Sequence, residues 1–197
     1  MTEISTSSAK PGRAQVRAHL EDVAARLFAT DGYATTTVDA IVAAAGVSKP
    51  ALYRHFESKK ELYLALLHRY RAELADAALA ALNPAHDPET LTVELTDAWF
   101  RHIEAHPVAA RILLQDATAD PEIEGVRADM RRLQREGDIG LLRMFAPGLP
   151  EAEVEPLGEI IRSSLTGLGL WWLDHPEVPR ETVVAAMVRT ANGLRPG

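Results

Sequence analysis

The chain has 197 residues, 47% of them hydrophobic, a formal net charge of −7 and no cysteine. That is enough apolar chain for one or two compact domains with a substantial core, and it argues against disorder of the chain as a whole. Without a thiol there is no disulfide, thiolate zinc site, thiol nucleophile or thiol redox sensor, and no apolar run approaches the ~18–20 residues of a membrane span.

Residues 1–12 are polar, rich in Ser and Thr, and lack the apolar stretch of a secretory signal, so they read as a flexible tail of a cytoplasmic protein. Leu20, Val23, Ala24, Leu27 and Phe28 then recur at the spacing of one helical face, closed by Asp31-Gly32. Arg13 and Arg17 near the start of that helix are placed either to reach a phosphate or minor groove, or to form a loose solvated arm. Thr37 is the N-cap of a second helix whose apolar positions Val38, Ile41, Val42 and Ala45 share a face, and Gly46 supplies the backbone freedom its C-terminus needs.

Ser48 caps a third helix, predicted over Lys49 to Phe56, with Pro50 in the first turn where a missing N–H costs nothing. Leu52 and Phe56 point inward, leaving Lys49, Ala51, Tyr53, Arg54 and His55 to supply donors, a methyl and an aromatic ring to a DNA groove. Two helices joined by a short glycine-containing turn make a helix-turn-helix, whose second helix enters the major groove. Ser58 and Glu61 then form a capping box for a long helix with an i+4 stripe of Leu62, Leu66, Tyr70, Leu74, Ala78 and Leu82. Lys59 and Lys60 sit in its first turn and oppose the macrodipole at about 0.3–1 kcal/mol each, unless an anion such as a DNA phosphate docks there. Charge is uneven in the same sense. Residues 1–60 hold eight Lys and Arg against six Asp and Glu, a net +2, which leaves −9 for the remainder. A mildly basic head on an acidic body restricts how DNA can dock.

Beyond Leu82, proline-rich breakers at 83–88, 106–107, 120–121, 147–150 and 174–179 separate stretches of helical length. Trp99 pairs with Ile103 on one face, Val108 with Ile112 and Leu113 on another, and Val126, Met130, Leu133 and Leu141 form a longer one. Gly158, Gly167 and Gly169 fall inside an otherwise helical segment and point to the close approach of another helix. With Val183, Val184, Met187, Val188 and Leu194, that segment is suited to a helix–helix dimer interface or to packing within one chain. No sustained strand alternation appears, so the fold class is all-α with about nine helices.

The run TTVDAIVAAAGVSKPALYRHFESKKEL from Thr36 to Leu62, preceded by AARLFATDGY from Ala24 to Tyr33, closely resembles the N-terminal domain of TetR-type transcriptional repressors. Pro50 departs from the glycine found in many relatives, in a place that bears on base contacts, and Val42-Ala43 stands for a more usual Ile-Ala pair. The resemblance implies a three-helix helix-turn-helix DNA-binding domain over 13–60 and a helical effector-binding and dimerisation domain over 61–197. It implies phosphate contacts at Thr36, Thr37, Tyr53, His55 and Lys59, a homodimer through the last two long helices, and release from a pseudo-palindromic double-stranded operator on binding a small-molecule effector. Two heads about 34–36 Å apart would occupy successive major grooves.

Candidate pocket residues are Trp99, Phe100, His102, Ile103, Leu113, Met130, Leu133, Met144, Leu165, Leu168, Trp171 and Trp172, because ligand pockets are mainly apolar and aromatic. Core packing is the competing role for each. His102 and His106 stand at i, i+4, as metal ligands can, but without a further ligand motif they read as a solvated helix end. No GxSxG, P-loop or dinucleotide fingerprint is present, so neither an enzyme nor a cofactor is expected. A helical enzyme or ligand carrier using the helix-turn-helix as scaffold, and a DNA-binding protein without an effector, are the alternatives.

Overall fold

A computed structural model of the chain describes residues 12–83, 85–115, 119–146 and 148–193. The expected tail, apart from Gly12, and Leu194 lie outside the described residues. These residues contain nine helices and no strand, in two compact units divided between Tyr63 and Leu64.

In the first unit, α1 (Arg13–Asp31), α2 (Val38–Ala45) and α3 (Lys49–Tyr53) precede α4 (Lys59–Ala81), which continues into the second unit. Helices α2 and α3 start on the expected caps. Thr37 Oγ1 accepts from the Ala40 N–H at 3.1 Å and Ser48 Oγ from the Ala51 N–H at 3.3 Å. Gly46 closes α2 at φ +65°, a conformation that crowds any Cβ, and the Val47 N–H reaches back to the Val42 carbonyl at 3.1 Å. At α4, Ser58 Oγ accepts from the Glu61 N–H at 3.0 Å, but the Glu61 carboxylate bonds the Glu57 N–H rather than that of Ser58. Leu20, Val23, Ala24, Phe28, Ile41, Leu52, Phe56 and Leu62 are buried together with Tyr63, whose ring meets Phe28 edge-on at 5.0 Å. Full burial of one such side chain contributes about 1.5–3 kcal/mol.

The third helix is shorter than the sequence suggests, ending at Tyr53 instead of Phe56. Guanidinium groups from α1 take the carbonyls just beyond its end. Arg13 Nη2 donates to Arg54 O at 3.3 Å, and Arg17 Nη1 donates to His55 O at 3.1 Å while its guanidinium lies 4.3 Å from the Phe56 ring centre. Both arginines are therefore braces in this fold rather than a loose arm.

The second unit comprises the remainder of α4 with α5 (Pro88–Ala105), α6 (Pro107–Leu114), α7 (Pro121–Phe145), α8 (Glu151–Leu173) and α9 (Arg180–Gly193). Prolines 88, 107 and 121 occupy first turns, and the Asp87 and Asp120 carboxylates cap α5 and α7 through two backbone N–H groups each. Helix α5 packs mainly on α9, and α7 on α8. Phe100, Ile103, Ala110, Trp172, Val183, Val184 and Met187 form the buried core. Phe100 and Trp172 meet edge to face at 5.6 Å, and the Trp172 indole N–H donates to Val178 O at 2.7 Å.

The glycines of α8 serve different ends. A Cβ at Gly169 would stand 3.0 Å from Ile103 Cδ1 and 3.2 Å from Leu114 Cδ1, so the close helix approach expected there occurs within one chain. Gly158 is only loosely opposed, and Gly167 faces open space. The i+4 stripe of α4 is deeply buried only through Tyr70, while Leu74 and Ala78 face a cavity.

Gly46→Ala is expected to lower stability by about 1 kcal/mol because its φ is positive. Gly137→Ala, in α7 with nothing near the added methyl, is expected to raise it by about 0.5–1 kcal/mol. Denaturant melts of both variants check the pair, and equal shifts would contradict the assignment.

Candidate nucleic-acid interface and effector cavity

The capped start of α3 presents Ser48, Lys49 and Pro50 to solvent, followed by Tyr53, which is 46% exposed, and Arg54. Thr37 is exposed at the start of α2, and His55 is half-buried. Lys49 Nζ pairs with Asp39 Oδ1 at 2.9 Å, and this hydrogen-bonded carboxylate holds the ammonium above its usual pKa. Burial, and after it the guanidiniums of Arg13, Arg17 and Arg54, holds the His55 imidazole below its usual range, which favours the neutral ring near pH 7.

Three expected contact residues sit differently. Ala51 is buried, because one position before Leu52 it falls at the inner edge of the same helical arc. Thr36 is 2% exposed, and its hydroxyl donates to Gly32 O at 2.8 Å and Leu27 O at 3.3 Å, tying the α1–α2 connection. Lys59 Nζ donates to Tyr33 O at 2.7 Å and Thr36 O at 2.8 Å and lies 4.2 Å from the Tyr33 ring centre. Burial lowers its pKa. A lysine at a helix start, costly beside the dipole, is thus compensated within the protein by carbonyls of the preceding loop.

The second unit contains a cavity of about 510 Å³. Of the expected residues, Trp99, Leu113, Met130, Leu133 and Leu165 line it. Phe100, Ile103 and Trp172 belong to the buried core and Leu168 packs against it, since their helical faces meet other helices instead of the void. Met144 and Trp171 are 63% and 44% exposed, and Trp171 stacks on His175 at 4.3 Å. His102 is also off the cavity. It is buried rather than solvated, its ring 4.8 Å from that of His106. Burial and then His106 lower its pKa against an opposing effect of Glu73.

Sequence reasoning missed the polar part of the cavity wall. Arg71 on α4 and Thr92 and Thr96 on α5 contribute to it, as do Arg127, Arg131, Gln134 and Asp138 on α7. The α7 residues recur at i, i+4, i+7 and i+11, a face that was legible as helical spacing but looks like ordinary solvated charge. Arg127 is 5% exposed and donates to Ile112 O at 2.8 Å and Leu113 O at 3.3 Å at the end of α6. Burial raises the Asp138 carboxyl to about 6, with Arg162 opposing and Glu159 adding to the shift. No helix among the described residues is long and apolar enough to cross a membrane.

Lys59→Ala is expected to cost about 1–3 kcal/mol of stability by removing the donor to two carbonyls. A variant that melts with its parent would return this side chain to solvent. For Asp138, the folded state retains a proton that the unfolded chain releases between pH 3.8 and about 6, so stability is full below that window and falls as pH rises through it. Asp138→Asn is therefore expected to be more stable than its parent by about 2–3 kcal/mol at pH 7.5, with the gap closing toward pH 4. Melts across that range read the slope, and a pH-independent difference would contradict it.

Comparison with known proteins agrees with both units. Residues 20–66 match a family model described as bacterial regulatory proteins, tetR family, and residues 87–192 match the tetracyclin repressor-like C-terminal domain. The HTH-type transcriptional activator FasR of Mycolicibacterium smegmatis is 35% identical over 112 residues, 56% of this chain and 51% of FasR. The regulator EthR of the same species is 30% identical, over 59% of this chain and 54% of EthR. The matches to these two curated relatives thus span about half of their length. The crystal structure of the TetR-family transcriptional regulator PfmR from Thermus thermophilus superposes with a TM-score of 0.75 at 28% identity, covering 96% of this chain and 100% of that one. The fatty acid degradation regulator FadR from Bacillus halodurans, 20% identical with a TM-score of 0.78 over 95% and 99% of the two chains, shares the fold. With its C-terminal match alone extending over more than half of its residues, the chain belongs to the TetR family of bacterial regulatory proteins.

Proposed function

We infer that the protein is a cytoplasmic, non-enzymatic transcriptional regulator that binds a pseudo-palindromic operator as a homodimer and leaves it when a small-molecule effector binds, so that its mode is repression. In this reading, residues 13–60 are the DNA-binding domain and residues 61–197 bind the effector and dimerise. The observation that carries the reading is the start of α3, where a Ser48-capped helix N-terminus offers Lys49, Tyr53 and Arg54 outward over a buried Leu52 and Phe56. Thr37 and Ser48 add hydroxyls to the same surface, and Pro50 shapes its approach to bases. A phosphate near His55 would favour the imidazolium that burial and the surrounding arginines disfavour. Lys59 serves the interface by holding the loop beside it, with its charge still available to attract the backbone.

Two features support the other parts of the reading. On α8, Ile160, Gly167 and Trp171 fall on one stripe; Ile160 and Trp171 are 45% and 44% exposed, and Gly167 has no neighbour where a Cβ would stand. That stripe suits the face of a second copy, α8 and α9 being the last two helices. The cavity supports an effector. A compound that binds the releasing arrangement better than the DNA-bound one shifts the balance, and one that binds both equally does nothing.

Fluorescence anisotropy with the DNA flanking the protein's own gene, against a scrambled duplex at two salt concentrations, tests the reading. A specificity ratio of about 10³ or more that survives the higher salt is expected. Equal binding that salt abolishes for the flanking DNA, and again for sequences selected without bias, would overturn it. Tyr53→Ala is expected to weaken operator binding about tenfold, with light scattering still reporting a dimer. Unchanged affinity would remove Tyr53 from the interface.

A further inference from the structure

The charged groups on the cavity wall differ in what they touch. Along α7, Arg127, Arg131, Gln134 and Asp138 form a polar ladder about 16 Å long at 1.5 Å rise per residue. The lining continues on the same helix to Leu141 and Leu142, so the space follows α7. The lining from α8 and α9, including Leu157, Ile161, Leu165 and Met187, is apolar. One edge of an occupant therefore meets polar groups and another meets hydrocarbon.

On that ladder, the Arg127 guanidinium is engaged by the α6 carbonyls and Arg131 by Glu124. Asp138 contrasts with both, because no N–H or O–H of the described residues donates to its carboxyl. The charges that act on it come from α8. They are Arg162, which favours the carboxylate, and Glu159, which opposes it less strongly; the two are bonded to each other. Arg135 acts on Glu159, while Arg71, Arg127 and Arg131, the wall's cations, do not figure among the charges acting on Asp138. An acceptor without a donor, in surroundings that resist its charge, gains most from a ligand that brings a cationic N–H.

We propose that the cavity takes an elongated amphiphilic amine, its protonated nitrogen on the Asp138 carboxylate and its hydrocarbon body against the apolar wall of α8 and α9; this rests on reading the cavity as the effector site. Binding then competes with protonation of Asp138. With that carboxyl at about 6, affinity for the amine falls about tenfold between pH 7.5 and pH 5, while an alkylammonium near 10 stays charged throughout.

Isothermal titration of the full chain with decylamine, 1-decanol and decanoate, each below its micellar or solubility limit, tests this. At pH 7.5 the amine is expected to bind at least tenfold more tightly than the alcohol. That advantage disappears at pH 5 and in Asp138→Asn, which keeps its affinity for the alcohol. Tightest binding of decanoate, an amine no better than the alcohol, or an amine advantage that survives Asp138→Asn would each overturn the proposal. Failure of all three to bind would overturn it as well. Amine binding through Asp138 without release of operator DNA would sustain the proposal and overturn the effector reading alone.

Discussion

A five-residue helix cannot satisfy its own backbone. In α3 the N–H groups at the start are met by Ser48, but the carbonyls that follow its last turn have no further helix to bond to. The head meets that constraint, and those of the neighbouring turns, with side-chain nitrogens from adjacent helices. Arg13 and Arg17 reach from α1 to Arg54 O and His55 O, the His19 imidazole meets Ala45 O at the end of α2 at 3.1 Å, and Lys59 on α4 holds Tyr33 O and Thr36 O. The orientation of the exposed α3 surface depends on those bonds, because a helix this short has no long apolar stripe to fix it.

The same solution recurs in the second unit, where Arg127 receives the α6 end through Ile112 O and Leu113 O, and Arg111 bonds Asp174 beyond the end of α8. A charge-assisted bond contributes about 1.5–3 kcal/mol, more than a neutral one. The basic residues of the head thus have two roles that net charge alone does not separate. Arg13, Arg17 and Lys59 direct N–H groups at carbonyls, whereas Lys49 pairs with an exposed carboxylate and Arg54 faces solvent.

Much of this architecture was legible in the sequence. The caps at Thr37 and Ser48, the left-handed Gly46, the apolar face of α1 and the proline-bounded starts of α5, α6 and α7 are local signals, and local chemistry decides them. Burial of Thr36 and the carbonyl bonds of Lys59 were not legible, because the lysine joins residues 23 to 26 positions away through a loop whose path no periodicity specifies. The cavity was half legible for a related reason. Trp99, Leu113, Met130, Leu133 and Leu165 were found as apolar faces, but Phe100 and Ile103 have the same signature and end in the core. Which apolar face stays uncovered is a property of how helices cross, and Asp138 entered the wall by spacing on α7 rather than by its chemistry.

The three tryptophans occupy three unlike settings within one unit. Trp172 is enclosed in the core with its indole N–H bonded to Val178, Trp171 is exposed against the His175 ring, and Trp99 borders the void. Their emission should divide accordingly into a blue-shifted component, a red component quenched by the stacked imidazole, and one that answers to whatever fills the space beside it. A chain that keeps Trp99 and carries phenylalanine at 171 and 172 would turn the wall of the cavity into its own optical gauge, readable without a label.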